Sequence, residues 1–278
     1  MLLNKEKELS LREIQLETLQ NMNVIAKICE ENKINYCLAY GTLIGAIRHN
    51  GFIPWDDDLD IFMPRDDYEK FKSFCFTHRE VLKPYELFTP ETHPDYPYMI
   101  GRFCNTDFDL VAENENPVGM GIFVDIYPLD GFGSDEGIIR KKAKWIKLPA
   151  SCYFLVSQKH LKKTERKGLT LLKFFLFFIS KLLGRKFFYK KLIKCSKNFD
   201  YEKSRYVACM IWLVGMEKNV FEKKDIENTI FHKFEDTEFR IPANYDKILR
   251  QTYGDYMQFP PPEKRIGHHF YRIYKKDL

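Results

Sequence analysis

The stretch GTLIGAIRHNGFIPWDDDLDIFMPRDDYEKF, residues 41–71, decides how this chain folds. A small-residue turn, Gly41-Thr42, stands shortly before an acidic cluster that ends in Asp58-Leu59-Asp60-Ile61. Side chains of an extended segment alternate between faces, so Asp58 and Asp60 are expected on one side while Leu59 and Ile61 face a core. Two carboxylates about 7 Å apart on one strand face repel each other unless a cation lies between them. That spacing suits a divalent metal that handles phosphate oxygens. The segment therefore predicts a phosphate-chemistry site on a strand that follows a small-residue turn.

Upstream, Ser10 is placed to cap a helix in which Leu11, Ile14, Leu19, Met22 and Ile25 share a broad stripe. Thr18 falls in that stripe and Leu16 outside it, and polar Glu30 to Lys33 ends the helix. Tyr36 to Tyr40 reads as a short buried strand running into the Gly41 turn, Leu43 to Arg48 as a short helix, and Asn50-Gly51 as a turn. Downstream, Leu59 to Met63 is the acid-bearing strand, closed by Pro64, and Asp66 to Phe76 is a helix with Tyr68, Phe71 and Phe74 near one face. Residues 84–97 are rich in Pro and Thr and read as a loop. Strands are expected at Tyr98 to Cys104, Phe108 to Ala112 and Gly121 to Tyr127, the last closed by Pro128.

From Gly133 to about residue 200 the pattern is helical and basic. Farther on, YGDYMQFPPPEKRIGHHF (253–270) carries three prolines, which predict an ordered loop rather than a helix. Strands interleaved with helices give an α/β (α+β) fold, a mixed-sheet core with flanking helices and a basic helical extension. The expected division is a core at 1–135, a basic amphipathic segment at 136–205, and a part at 206–278 that folds back onto the core.

A chain of 278 residues can form one large domain or a core with an appended part. Its seven cysteines are odd in number, scattered, and form no C-x-x-C pair, which argues against a disulfide framework and a structural zinc site. The first residues, MLLNKEKELSLREIQ, lack the apolar run of a signal peptide, so a cytoplasmic location is expected. A net charge of +5 hides an asymmetry: residues 140–199 hold 18 of the 44 Lys/Arg and one of the 39 Asp/Glu. The apolar run Leu169 to Leu183 is broken by Lys173 and Lys181 and falls short of the ~20 residues that a spanning helix needs. It predicts a helix lying on an anionic membrane surface, at the inner face of the cell membrane. A core helix whose lysines snorkel to water is the alternative.

A Gly-[Gly/Ser/Thr] turn, then Asp-hydrophobic-Asp on a strand, then a third acid on a later strand resembles the nucleotidyltransferase-fold pattern. Gly41-Thr42, Asp58-Leu59-Asp60 and Asp125 within FVDIYPLD supply those parts. Beyond the superfamily, YGTLIGAIRHNGFIPWDDDLDIFMPRDDYEKF, VDIYPLDG and YGDYMQFPPPEKR…HH, in that order, are similar to the LicD family. Those are bacterial phosphotransferases that decorate surface glycans, with fukutin-type proteins as distant relatives. The resemblance is dense in the first half and in the last thirty or so residues, and no motif of the family matches roughly 136–205.

The resemblance implies transfer of a phospho-alcohol, typically phosphocholine from CDP-choline, to a sugar hydroxyl, with CMP leaving. The acceptor would be a lipopolysaccharide, teichoic-acid or other cell-surface glycan precursor, and a lipid-linked one would explain the basic greasy segment. A diphosphate donor needs a divalent cation, Mg²⁺ by default or Mn²⁺, held here by Asp58, Asp60 and Asp125. The Gly41-Thr42 turn lets backbone N–H groups approach a phosphate, and the helix after it aims its N-terminus there. In proteins of this fold one acidic ligand doubles as the base for the acceptor hydroxyl, and Asp125 is the candidate. Asp130 competes with Asp125 for the third position, and Asp56 and Asp57 read as turn or capping residues.

Other donor contacts are expected from Arg48, His49 and Arg102, the first two about two helical turns past Gly41. Lys264, Arg265, His268 and His269 read as a cap folded back on the site. A cationic choline would sit in an aromatic box, with Trp55 the first candidate and Tyr36, Tyr40 and Phe52 behind it. Two competing functions share these residues: a nucleotidyltransferase that leaves NMP on its acceptor, and a non-catalytic scaffold for membrane or nucleic acid. A nucleic-acid partner is disfavoured because three carboxylates facing one site repel a phosphate backbone.

Overall fold

The structure is a computed structural model that describes residues 8–112, 117–161, 167–210, 218–267 and 271–276. In chain order the first elements are α1 (Leu11–Glu31), β1 (Cys37–Leu38), α2 (Tyr40–His49), β2 (Asp60–Pro64), α3 (Arg65–Thr77), α4 (Arg79–Leu82), β3 (Tyr85–Phe88), β4 (Gly101–Asn105), β5 (Phe108–Ala112) and β6 (Ile122–Gly131). Three helices follow, α5 (Glu136–Ser157), α6 (Lys167–Leu183) and α7 (Arg185–Ser196). The remainder supplies β7 (Tyr206–Ala208), β8 (Val220–Glu222), α8 (Lys223–Glu227), β9 (Thr229–Phe234), β10 (Thr237–Pro242), α9 (Tyr245–Tyr253) and β11 (Tyr271–Lys275).

The main sheet runs β1-β2-β6-β4-β3, and β7, itself paired to β8, joins the far end of β6. Its β2–β6 pairing is parallel and its other pairings are antiparallel, so the sheet is mixed as expected. Two small antiparallel pairs flank it, β9 with β10 and β5 with β11.

Helix α1 begins with a full capping box between Ser10 and Glu13. Ile14, Leu19, Met22 and Ile25 are buried as the stripe predicts, whereas Leu11 is 38% exposed. Thr18, polar yet in the stripe, is buried because its hydroxyl donates to Ile14 O at 2.8 Å. Two further polar residues of α1 are buried to hold the sheet and its loops. Asn21 Nδ2 donates to Ile122 O and Gln15 Nε2 to Asp56 O, each at 2.8 Å. An amide that caps a carbonyl across the core is stable where an unpaired one would cost about 1–3 kcal/mol.

Several boundaries differ from expectation. The strand expected at Tyr36 to Tyr40 shrinks to Cys37–Leu38, and Gly41-Thr42 belongs to the first turn of α2 rather than to a free turn. Tyr40 enters that helix with φ 43°, a left-handed conformation uncommon for a bulky side chain. The supposed loop at 84–97 contains β3, an edge strand masked in the sequence by the flanking Pro and Thr residues. The strand expected from Tyr98 begins at Gly101, and β6 does not stop at Pro128 but continues to Gly131.

Pro128 is tolerated because of where it falls. Asp125 N–H faces β2, so by alternation the position of Pro128 turns its missing N–H to the opposite edge. There β4 pairs with Ile122 to Ile126 and β7 with Asp130 and Gly131, so no ladder bond is lost.

The described residues of the 136–205 stretch carry α5, α6 and α7, with α5 packed on both α6 and α7, and the helices end at Ser196. All seven cysteines are free. No helix among the described residues is long and apolar enough to cross a membrane.

Candidate active site

The site grows from the parallel β2–β6 pairing, whose register sets Asp60 beside Asp125. Asp58 comes from the irregular segment just before β2, not from the strand itself. One carboxylate oxygen from each of Asp58, Asp60 and Asp125 lies within 4.8 Å of the others. The backbone fixes this spacing: Ala39 N–H donates to Asp60 O at 2.9 Å and Asp125 N–H to Leu59 O at 2.8 Å. Thr42 adds a side-chain tie, its Oγ1 accepting from Asp60 N–H at 2.8 Å. A residue expected to face phosphate thus also positions the central acid.

Asp60 is the most stressed of the three. Burial first, then the charges of Asp58, Asp125 and Asp56, push its carboxyl well above the usual carboxylate range. Its Oδ1 is buried without a hydrogen-bond partner among the described residues. Buried polar atoms are nearly always satisfied, and an orphan oxygen among three carboxylates is what an added cation would satisfy. Three hard oxygen donors with that spacing fit Mg²⁺ or Mn²⁺ and suit a soft metal poorly.

Arg102 was expected at a donor phosphate, but it faces Asp125 directly in the β4–β6 ladder. Its Nε donates to Asp125 Oδ1 at 2.7 Å and its Nη2 to Oδ2 at 3.3 Å. The guanidinium lies between the rings of Tyr98 and Phe123, 3.6 and 3.8 Å from their centroids. A fork so enclosed holds Asp125 in one orientation. Asp130, the competitor for the third position, is engaged elsewhere: Arg65 grips both its oxygens at 2.7 and 2.9 Å.

A cleft of about 720 Å³ opens from the carboxylates. Asp56, Asp58 and Asp60 line one part, and the start of α2 borders it at Tyr40 and Gly41. A Cβ on Gly41 would lie 2.9 Å from Asp56 Oδ2, so glycine lets that carboxylate approach the helix N-terminus. The other part is aromatic and cationic. Arg48 donates to Tyr256 O at 2.7 Å and sits 4.6 Å from the Phe259 ring centroid. Arg265 approaches the same ring at 5.4 Å and Trp55 at 5.8 Å. Burial, then the like charge of Arg265, lowers the Arg48 pKa. His49 packs edge-on to Phe259 and accepts from Arg48 Nε through its own Nε2 at 3.0 Å.

Of the aromatic-box candidates, Trp55 and Tyr40 line the cleft. Tyr36 and Phe52 do not: Tyr36 is core, and Phe52 packs against Phe234 at 5.1 Å. Lys264 is exposed at the end of a 3-10 turn while its neighbour Arg265 reaches the cleft. His268 and His269 lie outside the described residues.

Tyr253, Tyr256 and Phe259 line the cleft and were missed by sequence reasoning. Their i, i+3, i+6 spacing in YGDYMQF was the available signal, hidden because it spans the end of α9 and the irregular segment after it. Tyr271 of β11 ties that strand to the acidic segment, its hydroxyl donating to Asp57 O at 3.3 Å.

Comparison with known proteins follows the same residues. A family model described as "LicD/FKTN/FKRP, nucleotidyltransferase domain" matches residues 33–172. The chain is 33% identical over 276 residues to the lipopolysaccharide cholinephosphotransferase LicD of Haemophilus influenzae, covering 96% of this chain and 99% of that protein. It is also 31% identical over 144 residues to an uncharacterized protein of Rickettsia typhi, covering 51% of this chain and 41% of that one.

Proposed function

The chain belongs to the LicD family of phosphotransferases, and from that premise we propose that it transfers phosphocholine from CDP-choline to a sugar hydroxyl of a cell-surface glycan precursor, releasing CMP. The observation that carries this reading is the orphan Asp60 oxygen set among Asp58 and Asp125 at the mouth of a cleft with two arginines at its other side. A lipopolysaccharide acceptor is favoured by the name of the Haemophilus relative, and a teichoic-acid precursor offers the same chemistry.

In this reading Asp58, Asp60 and Asp125 hold Mg²⁺, or Mn²⁺ in its place. When bound, the ion neutralises charge on the diphosphate and the departing CMP. Arg48 and Arg265 bind donor phosphate oxygens, and the rings of Trp55, Tyr253 and Phe259 border the base or the quaternary ammonium. The acceptor oxygen forms a bond to the choline-bearing phosphorus as the bond from that phosphorus to the CMP oxygen breaks. The hydroxyl proton passes to a carboxylate oxygen of Asp125, whose orientation Arg102 fixes. The α2 N-terminus, whose N-cap residue Ala39 supplies no side-chain cap, faces the same charge. The enzyme works at the cytoplasmic face of the membrane, on a lipid-linked acceptor.

Donor turnover tests this. With Mg²⁺, an acceptor extract and CDP-choline, CDP-ribitol or CDP-glycerol in turn, CMP should appear from CDP-choline and vanish in Asp58→Asn/Asp60→Asn. CMP from another donor alone would change the alcohol. Diphosphate release from CTP, with all three CDP donors silent, would replace the reaction by nucleotidyl transfer.

A further inference from the structure

Helix α6 carries an exposed apolar stripe in addition to the residues that it packs on the protein. Placed at 100° per residue, Leu171, Phe174, Phe175, Phe178 and Leu182 share one stripe at i, i+3, i+4, i+7 and i+11. All five are exposed, from 60% at Phe174 and Phe175 to 78% at Leu182. The opposite face, turned to the protein, carries fully buried Ser180 and partly buried Lys173. Lys181, on the flank, bends inward and donates to Val156 O and Gln158 O, each at 2.8 Å. Leu176, on the same inner side, packs on the hydrophobic core, so the helix keeps an inner apolar contact and carries a second, fully apolar stripe that nothing covers among the described residues.

The next helix says what the stripe meets. On α7 and the residue after it, Lys186, Lys190, Lys194 and Lys197 recur at i, i+4, i+8 and i+11, and all four are exposed. An exposed row of Leu and Phe followed directly in the chain by an exposed row of lysines is the composition of a helix pair lying in the headgroup layer of an anionic bilayer. A second copy of this chain fits less well. Joining two apolar stripes would bring together two segments that each hold 18 basic residues and one acidic residue between 140 and 199.

We propose that the α6–α7 face is a docking surface for anionic phospholipid, with the α6 stripe seated among acyl chains and the α7 lysines on headgroup phosphates. At 17 residues, α6 lies in the interface and does not cross it. The proposal rests on the helices alone and not on the reaction assigned to the cleft.

The test is co-sedimentation of the full chain with phosphatidylcholine vesicles, with and without phosphatidylglycerol. The wild type should pellet with the phosphatidylglycerol vesicles and release as salt is raised. Phe174→Ser/Phe178→Ser should lower partitioning at least about tenfold. Lys186→Gln/Lys190→Gln/Lys194→Gln should lower it about fivefold per lysine and flatten the salt dependence. Circular dichroism of each variant separates lost binding from lost folding, and the lysine variant tests the face should the phenylalanine variant misfold.

Equal binding by wild type and both variants would overturn the proposal, as would wild type that ignores anionic vesicles. A wild-type dimer that Phe174→Ser/Phe178→Ser dissociates, with no vesicle binding, would give the face to a second copy instead. CMP release measured on the same samples without vesicles reads the cleft separately, so failure of one reading leaves the other standing.

Discussion

The β2–β6 pair and helix α6 break the same rule in opposite directions. The strand pair draws three carboxylates toward the interior, while α6 turns Leu and Phe out to solvent. Inside, the charged intrusions have partners: Thr42 for the Asp60 amide, Arg102 for Asp125 and Arg65 for Asp130. Asp60 Oδ1 is the one carboxylate oxygen buried without a partner among the described residues, although neutral atoms such as Asn21 Oδ1 and Tyr40 Oη are also left unpaired. On α6 no such accounting is done, because an exposed apolar stripe costs little to folding until something covers it. An interior violation is paid for residue by residue, whereas a surface one waits for a partner.

The contrast predicts a graded series. Asp58→Asn/Asp60→Asn should lower CMP release by about a thousandfold or more, through loss of ligand charge. The metal-free variant should melt no lower than wild type, since it relieves repulsion among buried carboxylates. A large fall in melting temperature would mean that the acids are structural. Arg102→Met should destabilise by about 3–5 kcal/mol in urea titration, because it leaves Asp125 buried without its partner. A cost under 1 kcal/mol would show Asp125 to be solvated in the free protein.

On α6 the expected effects are smaller. Ser180→Ala removes a buried hydroxyl that has no partner among the described residues, and should leave stability unchanged or raise it by about 1 kcal/mol. Phe174→Ser/Phe178→Ser should shift the urea midpoint by no more than about 0.5 kcal/mol equivalent in detergent-free solution. The buried Phe71→Ala should cost about 3–5 kcal/mol in the same assay. If the two phenylalanines of α6 cost as much as Phe71, the stripe is core, and the comparison between the regions collapses.

The same contrast explains what was legible in the sequence. Residues 41–71 announced the site through their acidic run and small residues, although Asp58 precedes the strand and Gly41-Thr42 lies in a helix, and α1 was readable from Ser10 through its stripe. Arg102 was not readable as the partner of Asp125, since only the β4–β6 register brings them together. Pro128 misled because its cost depends on which edge of β6 is unpaired, a fact of topology rather than of composition. The sequence of α6 showed a greasy helix with lysines. Which way the stripe faced required Ser180 and Lys181 to be placed against α5. Tyr253, Tyr256 and Phe259 were invisible because they run from the last residue of α9 into an irregular segment, where only the fold sets which way a ring faces.

Asp60 and Asp125 meet through a parallel pairing that joins segments some 65 residues apart. Such a pairing must close a long loop before any of its contacts form, so it comes late in folding. On the proposed reading, the cation site would not exist in the unfolded chain or in an early collapsed one. An ion bound there would act on the finished pairing, and its effect would fall on the reverse reaction. Mg²⁺ should leave the refolding rate unchanged and lengthen the lifetime of the folded state, which makes the metal a clasp on a finished structure and not a template for building it.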